Sequence, residues 1–323
     1  MIFVKNLVKS YGSNTAVKNV TFEVKEGEIF GLLGPNGAGK STIINILVTI
    51  LKYDSGRASI NGFDIIKDQN DVRKSIGIIF QDPSLDRRLT AWENMYFHSK
   101  LYHVPSMEIE SRITNSLELV GLQDRKKDLV SSYSGGMKRR LEIARGIIHT
   151  PRVLFLDEPT IGLDPQTRKY IWRYLSGMRK KTSLTMLLTT HYMEEAEICD
   201  RIAIIDNGEI IAMDTPANLK KELRNDMVIL SSENPSGLSG ILKRHFDILP
   251  EINLNMLKFP VPDSRTFLPG LFKFAGEQIT GVDIKRPSLE DVFIKLTGRA
   301  IRDEGPGLKD RIKYSAKRRN NKN

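Results

Sequence analysis

The chain holds 323 residues with a formal net charge of +10, 40% hydrophobic residues and a single cysteine. That length allows about two domains, each with a proper core, and the lone Cys199 rules out a disulfide within the chain, which suits a reducing cytoplasm and a small buried residue. No run approaches the roughly 18 uninterrupted apolar residues of a membrane-spanning helix, and Met1 to Lys5 leads into a strand pattern without the basic start of a signal peptide, so a soluble protein is expected.

Residues 2–25 alternate apolar and polar positions around turn residues at 12–14, which predicts an antiparallel β-subdomain. Glu28 to Leu33 is a short apolar strand. It feeds Gly34-Pro35-Asn36-Gly37-Ala38-Gly39-Lys40-Ser41-Thr42, a complete G-x-x-x-x-G-K-[ST] phosphate loop. Its glycines let the backbone fold tightly and turn N–H groups toward one point where phosphate oxygens can sit. Lys40 reaches the β- and γ-phosphates and Ser41 offers a hydroxyl to Mg²⁺. A helix predicted over 40–51, with Ile43, Ile44, Leu47, Ile50 and Leu51 at helical spacing, points its positive end at the same anion. The loop therefore predicts binding of a nucleoside triphosphate.

Residues 84–133 carry helical stretches at 92–103 and 107–121, followed by Tyr133-Ser134-Gly135-Gly136-Met137-Lys138-Arg139-Arg140. Ser134 is a good N-cap, and Met137, Leu141, Ala144 and Ile148 make one apolar face behind it. This second anion-binding helix terminus lacks an obvious ligand in its own chain, which suggests that it serves another molecule's nucleotide. Further on, Val153 to Asp157 is a continuous apolar run ending in Asp157-Glu158, the pattern of a buried parallel strand with chemistry at its carboxyl end. Asp157 would hold Mg²⁺, and Glu158 would take a proton from the attacking water. The core resumes at 184–190 and 202–206, and a helix at Pro216 to Leu223 leaves it.

With these parts in order, residues 1–225 resemble the ATPase subunit of an ATP-binding cassette (ABC) transporter. The resemblance implies an α/β fold, a P-loop NTPase cassette with an α/β core, an antiparallel β-subdomain and a helical subdomain; beyond it a small C-terminal α/β accessory domain is expected from the alternation of strand and helix patterns. It implies further roles: Tyr11 stacks on the adenine of ATP, Gln81 senses Mg²⁺ and the γ-phosphate, Asp164 crosses to the other subunit, and His191 is the switch histidine near the γ-phosphate. The signature loop, commonly Leu-Ser-Gly-Gly-Gln, is residues 133–137, with Tyr133 and Met137 as departures. Phosphate contacts would then come from Ser134 and the backbone of Gly135 and Gly136.

The signature variant, Gln81-Asp82-Pro83-Ser84-Leu85-Asp86 and Pro287-Ser288-Leu289-Glu290-Asp291-Val292-Phe293 are similar to the daunorubicin-resistance type of exporter ATPase. That implies a homodimer with two ATP molecules at its interface, ATP and Mg²⁺ as cofactors, and a separate membrane permease docking near Gln81 and residues 84–100, where Asp86, Arg87 and Arg88 are available. It places the protein in the cytoplasm, peripheral on the inner face of the cell membrane. A second class, an ATPase of this family acting on nucleic acid or ribosomes, is disfavoured by the single uninterrupted cassette.

Residues 226–298 are expected to form the accessory domain, with strands at 227–230, 253–259 and 279–284 and helices at 237–246, 267–276 and 288–296. Residues 299–323 hold nine Lys and Arg against three Asp and Glu, a tail expected to be disordered and able to touch an anionic membrane surface.

Overall fold

The computed structural model describes residues 1–82, 84–223 and 225–299. Pro83 and all but the first residue of the basic tail expected at 299–323 thus lie outside the described residues.

Three sheets organise the described residues. The first is antiparallel, in the order Asn14–Val24, Ile2–Tyr11, Ser55–Ile60, Phe63–Asp64. Alternation does what a half-buried sheet requires: Ile2, Val4 and Leu7 point inward from one strand and Val20, Phe22 and Val24 from its neighbour. The second sheet has six strands in the order Glu209–Asp214, Arg201–Asp206, Ile29–Leu33, Thr185–Thr190, Val153–Asp157, Ile76–Ile79. All its neighbours pair parallel except the edge strand Glu209–Asp214. The three strands Ile29–Leu33, Val153–Asp157 and Thr185–Thr190 are buried at every residue, as expected of strands covered on both faces.

Each face of this central sheet has its own core. On one, Phe30, Leu32, Phe155 and Leu187 pack with the antiparallel sheet and with Ile43, Ile44 and Leu47 of the helix Lys40–Leu47. On the other, Leu154, Leu156 and Leu188 pack against Ile171, Trp172 and Leu175 of the helix Pro165–Thr182. A third cluster joins the helices Ala91–Leu101, Ser106–Leu119 and Gly135–Ile147 through Met95, Ile113, Leu117, Leu141 and Ala144. It forms a helical layer beside the sheet.

The helix expected over 40–51 ends at Leu47, because Thr49 takes a left-handed φ of 66° and Ile50 and Leu51 turn their N–H groups back to the carbonyl of Asn45. Cys199 is buried beside Gly31, where a built Cβ would stand 2.8 Å from its sulfur.

The third sheet is antiparallel, ordered Glu251–Asn253, Met256–Val261, Asp226–Ser231, Gly281–Lys285. Val228, Leu230, Leu257 and Phe259 cover one face and meet Leu238 and Leu242 of the helix Pro235–Phe246 and Leu271 of the helix Ser264–Ala275. The helix expected at 288–296 as part of this unit packs elsewhere. Helix Leu289–Thr297 starts in a capping box between Ser288 and Asp291, and Leu289, Val292 and Phe293 enter the core under the central sheet, beside Leu219. The reason is its apolar face: the small sheet already has two helices over it, and the open ground lies against the helices Pro216–Lys221 and Met193–Ala196.

A nucleotide site at the carboxyl ends of the central strands

The strand Ile29–Leu33 opens directly into the phosphate loop. The loop is tied to the sheet by the N–H of Gly34, which donates to the carbonyl of Thr190 at 3.3 Å. Two of its glycines are required by their neighbours. A Cβ on Gly34 would lie 2.2 Å from the carbonyl oxygen of Ile205, and one on Gly39, at φ 100°, would lie 2.4 Å from that of Ala16. Gly39 then caps the helix Lys40–Leu47 without a side-chain acceptor, and the first-turn N–H groups of a helix have no partner within the helix itself. Loop and helix start together form a cradle for an anion.

Lys40 is only 4% exposed. Its Nζ donates to the carbonyls of Gly34 at 2.7 Å and Pro35 at 3.0 Å and stands 3.8 Å from Oε1 of Glu158. Burial lowers its pKa, and the carboxylates of Glu158 and Asp157 oppose that shift. Ser41 Oγ donates to Oδ1 of Asp157 at 3.1 Å, so the helix start and the end of the strand Val153–Asp157 meet. The same Asp157 oxygen accepts the hydroxyl of Thr189 from the adjacent strand. Sequence reasoning gave Thr189 no role, since a threonine in a strand carries no signal of its own.

Glu158 follows in a left-handed conformation, φ 46°, and its N–H donates to the carbonyl and hydroxyl of Thr189 at 3.2 and 3.1 Å. Its carboxylate gathers three expected residues: His191 Nδ1 lies 3.2 Å from Oε1, Gln81 Nε2 donates to Oε2 at 3.3 Å, and Lys40 is the cation already described. Burial alone would raise the Glu158 pKa, but the His191 hydrogen bond and the Lys40 charge outweigh it and hold the carboxyl below its usual range. Hence a carboxylate, an amide, an imidazole and an ammonium converge on one point above the phosphate loop.

The other expected residues lie apart from this cluster. Ser134 caps the helix Gly135–Ile147 by accepting the N–H of Met137 at 3.2 Å. Asp164 caps the helix Pro165–Thr182 through the N–H groups of Gln166 and Thr167 at 3.1 and 3.0 Å, and it accepts the Thr167 hydroxyl at 2.6 Å. A Cβ on Gly136 would touch Thr167 at 3.4 Å, so signature and cap share one surface. Tyr11 stands at the end of its strand, half exposed, paired across the turn with Asn14.

The residues gathered here fit Mg²⁺ as well as phosphate. No cluster of three His, Cys, Asp or Glu occurs among the described residues, and Mg²⁺ typically uses one or two carboxylates together with substrate phosphates. A single Asp157 oxygen shared with the Ser41 hydroxyl is that kind of donor set.

Comparison with known proteins agrees with this geometry. The ABC transporter family model matches residues 17–161. The linearmycin resistance ATP-binding protein of Bacillus subtilis (strain 168) is 38% identical over 314 residues, 94% of this chain and 100% of that protein. A daunorubicin resistance ATP-binding protein of Streptomyces coeruleorubidus is 37% identical over 306 residues, 92% of this chain and 96% of that one. Among solved structures, a dimeric post-hydrolysis ATP-binding cassette bound to ADP and Pi is 29% identical with a TM-score of 0.62, covering 67% of this chain and 98% of that chain.

Proposed function

The chain belongs to the ABC transporter family as an ATP-hydrolysing ATP-binding subunit, and from that premise we propose that it powers export of a drug, antibiotic or lipid-like substrate through a separate membrane permease. What supports the direction is the company it keeps: relatives similar over nearly the whole chain are resistance ATP-binding proteins, and another is a Nod factor export ATP-binding protein of Rhizobium etli, 38% identical over 295 residues. Those names and the single cassette disfavour work on nucleic acid. No helix among the described residues is long and apolar enough to cross a membrane, so in this reading the substrate crosses through the permease and the chain works at the inner face of the membrane.

The observation that carries the reading is the meeting of Lys40, Gln81 and His191 at the Glu158 carboxylate. In the proposed mechanism ATP lies along residues 34–42 with its adenine against Tyr11. Lys40 exchanges the Gly34 and Pro35 carbonyls for β- and γ-phosphate oxygens. Ser41, Asp157 and Gln81 would hold Mg²⁺, which when bound would supply charge neutralisation at the phosphates. Glu158 accepts the proton of the attacking water as the γ-phosphoryl transfers in line, and His191 steadies that carboxylate and the γ-phosphate. Ser134, Gly135, Gly136 and Asp164 serve the nucleotide of a second copy, because they form a surface separate from the chain's own phosphate loop. Residues 1–225 with the last helix make the cassette in this scheme, and residues 226–285 are an accessory unit.

The proposed permease contact is a groove of about 430 Å³ whose lining includes Phe80, Asp86, Leu89, Phe97 and Leu101. Phe97 and Leu101 are 66% and 61% exposed, with Gln81 one residue beyond Phe80 to carry the signal inward.

Exchanging Glu158 for glutamine tests the reading. Glu158→Gln keeps the shape and removes the base, so ATP affinity stays within about threefold while hydrolysis falls by roughly two to four orders of magnitude. The arrested protein should also dimerise under saturating Mg-ATP, as light scattering would record. Turnover above a third of the wild-type rate would sink the assignment.

A further inference from the structure

Arg139 lies one turn into the helix Gly135–Ile147 and is 4% exposed. Its guanidinium makes five contacts. Nε donates to the carbonyl of Pro159 at 2.5 Å, one terminal nitrogen donates to the carbonyl of Phe80 and to the Glu142 carboxylate at 2.9 Å, and the other donates to the carbonyls of Asp157 at 3.4 Å and Glu158 at 3.2 Å. One planar fork therefore grips three consecutive carbonyls at the end of the strand Val153–Asp157 and the carbonyl preceding Gln81. Glu142, fully buried, balances the charge, and its other oxygen accepts the N–H of Ser84 at 3.0 Å.

The grip answers a need. A left-handed backbone on a residue other than glycine is strained and persists only where its surroundings over-determine it. The N–H of Glu158 is held by Thr189 and its carbonyl by Arg139, so the two residues clamp that conformation from both sides. Lysine could supply the charge that Glu142 requires, but only a guanidinium presents donors to four separate carbonyls in fixed directions.

We propose that Arg139 is a positioning residue for ATP hydrolysis, fixing the backbone at Phe80 and at Asp157 to Pro159 so that the Gln81 and Glu158 side chains meet over the phosphate loop. This rests on the reading of Glu158 as the group that accepts the water proton.

Two variants of the full chain test it, with ATP affinity, kcat, KM and thermal unfolding measured on each. Arg139→Lys keeps the charge and loses the fork. The double substitution Arg139→Met with Glu142→Met removes the closely bonded pair together, an exchange that is often neutral for stability, and leaves Arg145, 3.8 Å from Glu142, donating to the Ser84 carbonyl. Both should fold and bind ATP within about threefold of wild type with KM changed as little, while kcat falls on the order of 100-fold, the cost of a small misplacement at a reacting centre. A folded variant of either kind with wild-type kcat overturns the proposal. So does failure of both to fold, since Arg139 would then be part of the core only. Glu158→Gln run alongside separates the two ideas: if it retains turnover the assignment of Glu158 fails, whereas if it loses turnover and the Arg139 variants do not, only the positioning role fails.

Discussion

Lys40 illustrates how a single side chain can be both stabilised and kept available. Its ammonium is buried, and burial lowers its pKa, yet two backbone carbonyls and the neighbouring carboxylates satisfy it. Those carbonyls are replaceable by phosphate oxygens at little cost, whereas the charge is not. Lys40→Ala should weaken ATP binding roughly 10- to 100-fold, the value of a hydrogen bond to a charged group, in a fluorescent-nucleotide titration. Lys40, Ser41, Asp157 and Glu158 were legible in the sequence because triphosphate chemistry demands those residue types next to glycines or at a strand end. Thr189 and Arg139 were not: threonine and arginine are common in such positions, and the contacts that give them meaning join strands and helices far apart in the chain. Ser134 was legible as a helix cap and is one here, whereas the cap at Asp164 emerges from the fold.

Helices and strands divide along the same line. The phosphate-loop helix, the signature helix and the buried strand before Asp157 announce themselves through caps and apolar runs, while the strand Ser55–Ile60 and the helix Pro165–Thr182 do not, the latter because most of its residues are charged or polar by type and its apolar face is narrow. Helix Leu289–Thr297 shows the limit differently. Its amphipathic face and capping box were readable, but its partner was not, since that depends on which surface the rest of the fold leaves uncovered. Phe293 is fully buried in that contact. Phe293→Ala should therefore cost about 3–5 kcal/mol, read as a lowered melting temperature, and nucleotide binding by the folded fraction should be unchanged.

At the scale of the whole molecule, two further outcomes separate stability from coupling. Burial, with Arg145 and His149 adding to it, pushes the pKa of His98 down to about 3. The unfolded chain takes up that proton near pH 6.5, so stability falls as pH drops from there toward 3, by up to roughly 1.4 kcal/mol per pH unit. His98→Phe should flatten that part of the melting-temperature profile. The exposed Phe97 one residue before it faces the proposed permease groove, and Phe97→Asp should reduce co-purification with the membrane partner by about tenfold or more, a loss of some 1.4 kcal/mol, with ATP binding intact. The returning last helix has a consequence for how the protein is made. Domains generally fold from the N-terminus as the chain leaves the ribosome, yet the apolar surface around Leu219 is covered by residues synthesised only after the entire 226–285 unit. Until then the nascent cassette carries an open hydrophobic seam, so premature termination anywhere between residues 226 and 288 would release a chain whose nucleotide motifs are complete and whose core is not, a natural substrate for chaperones and proteases.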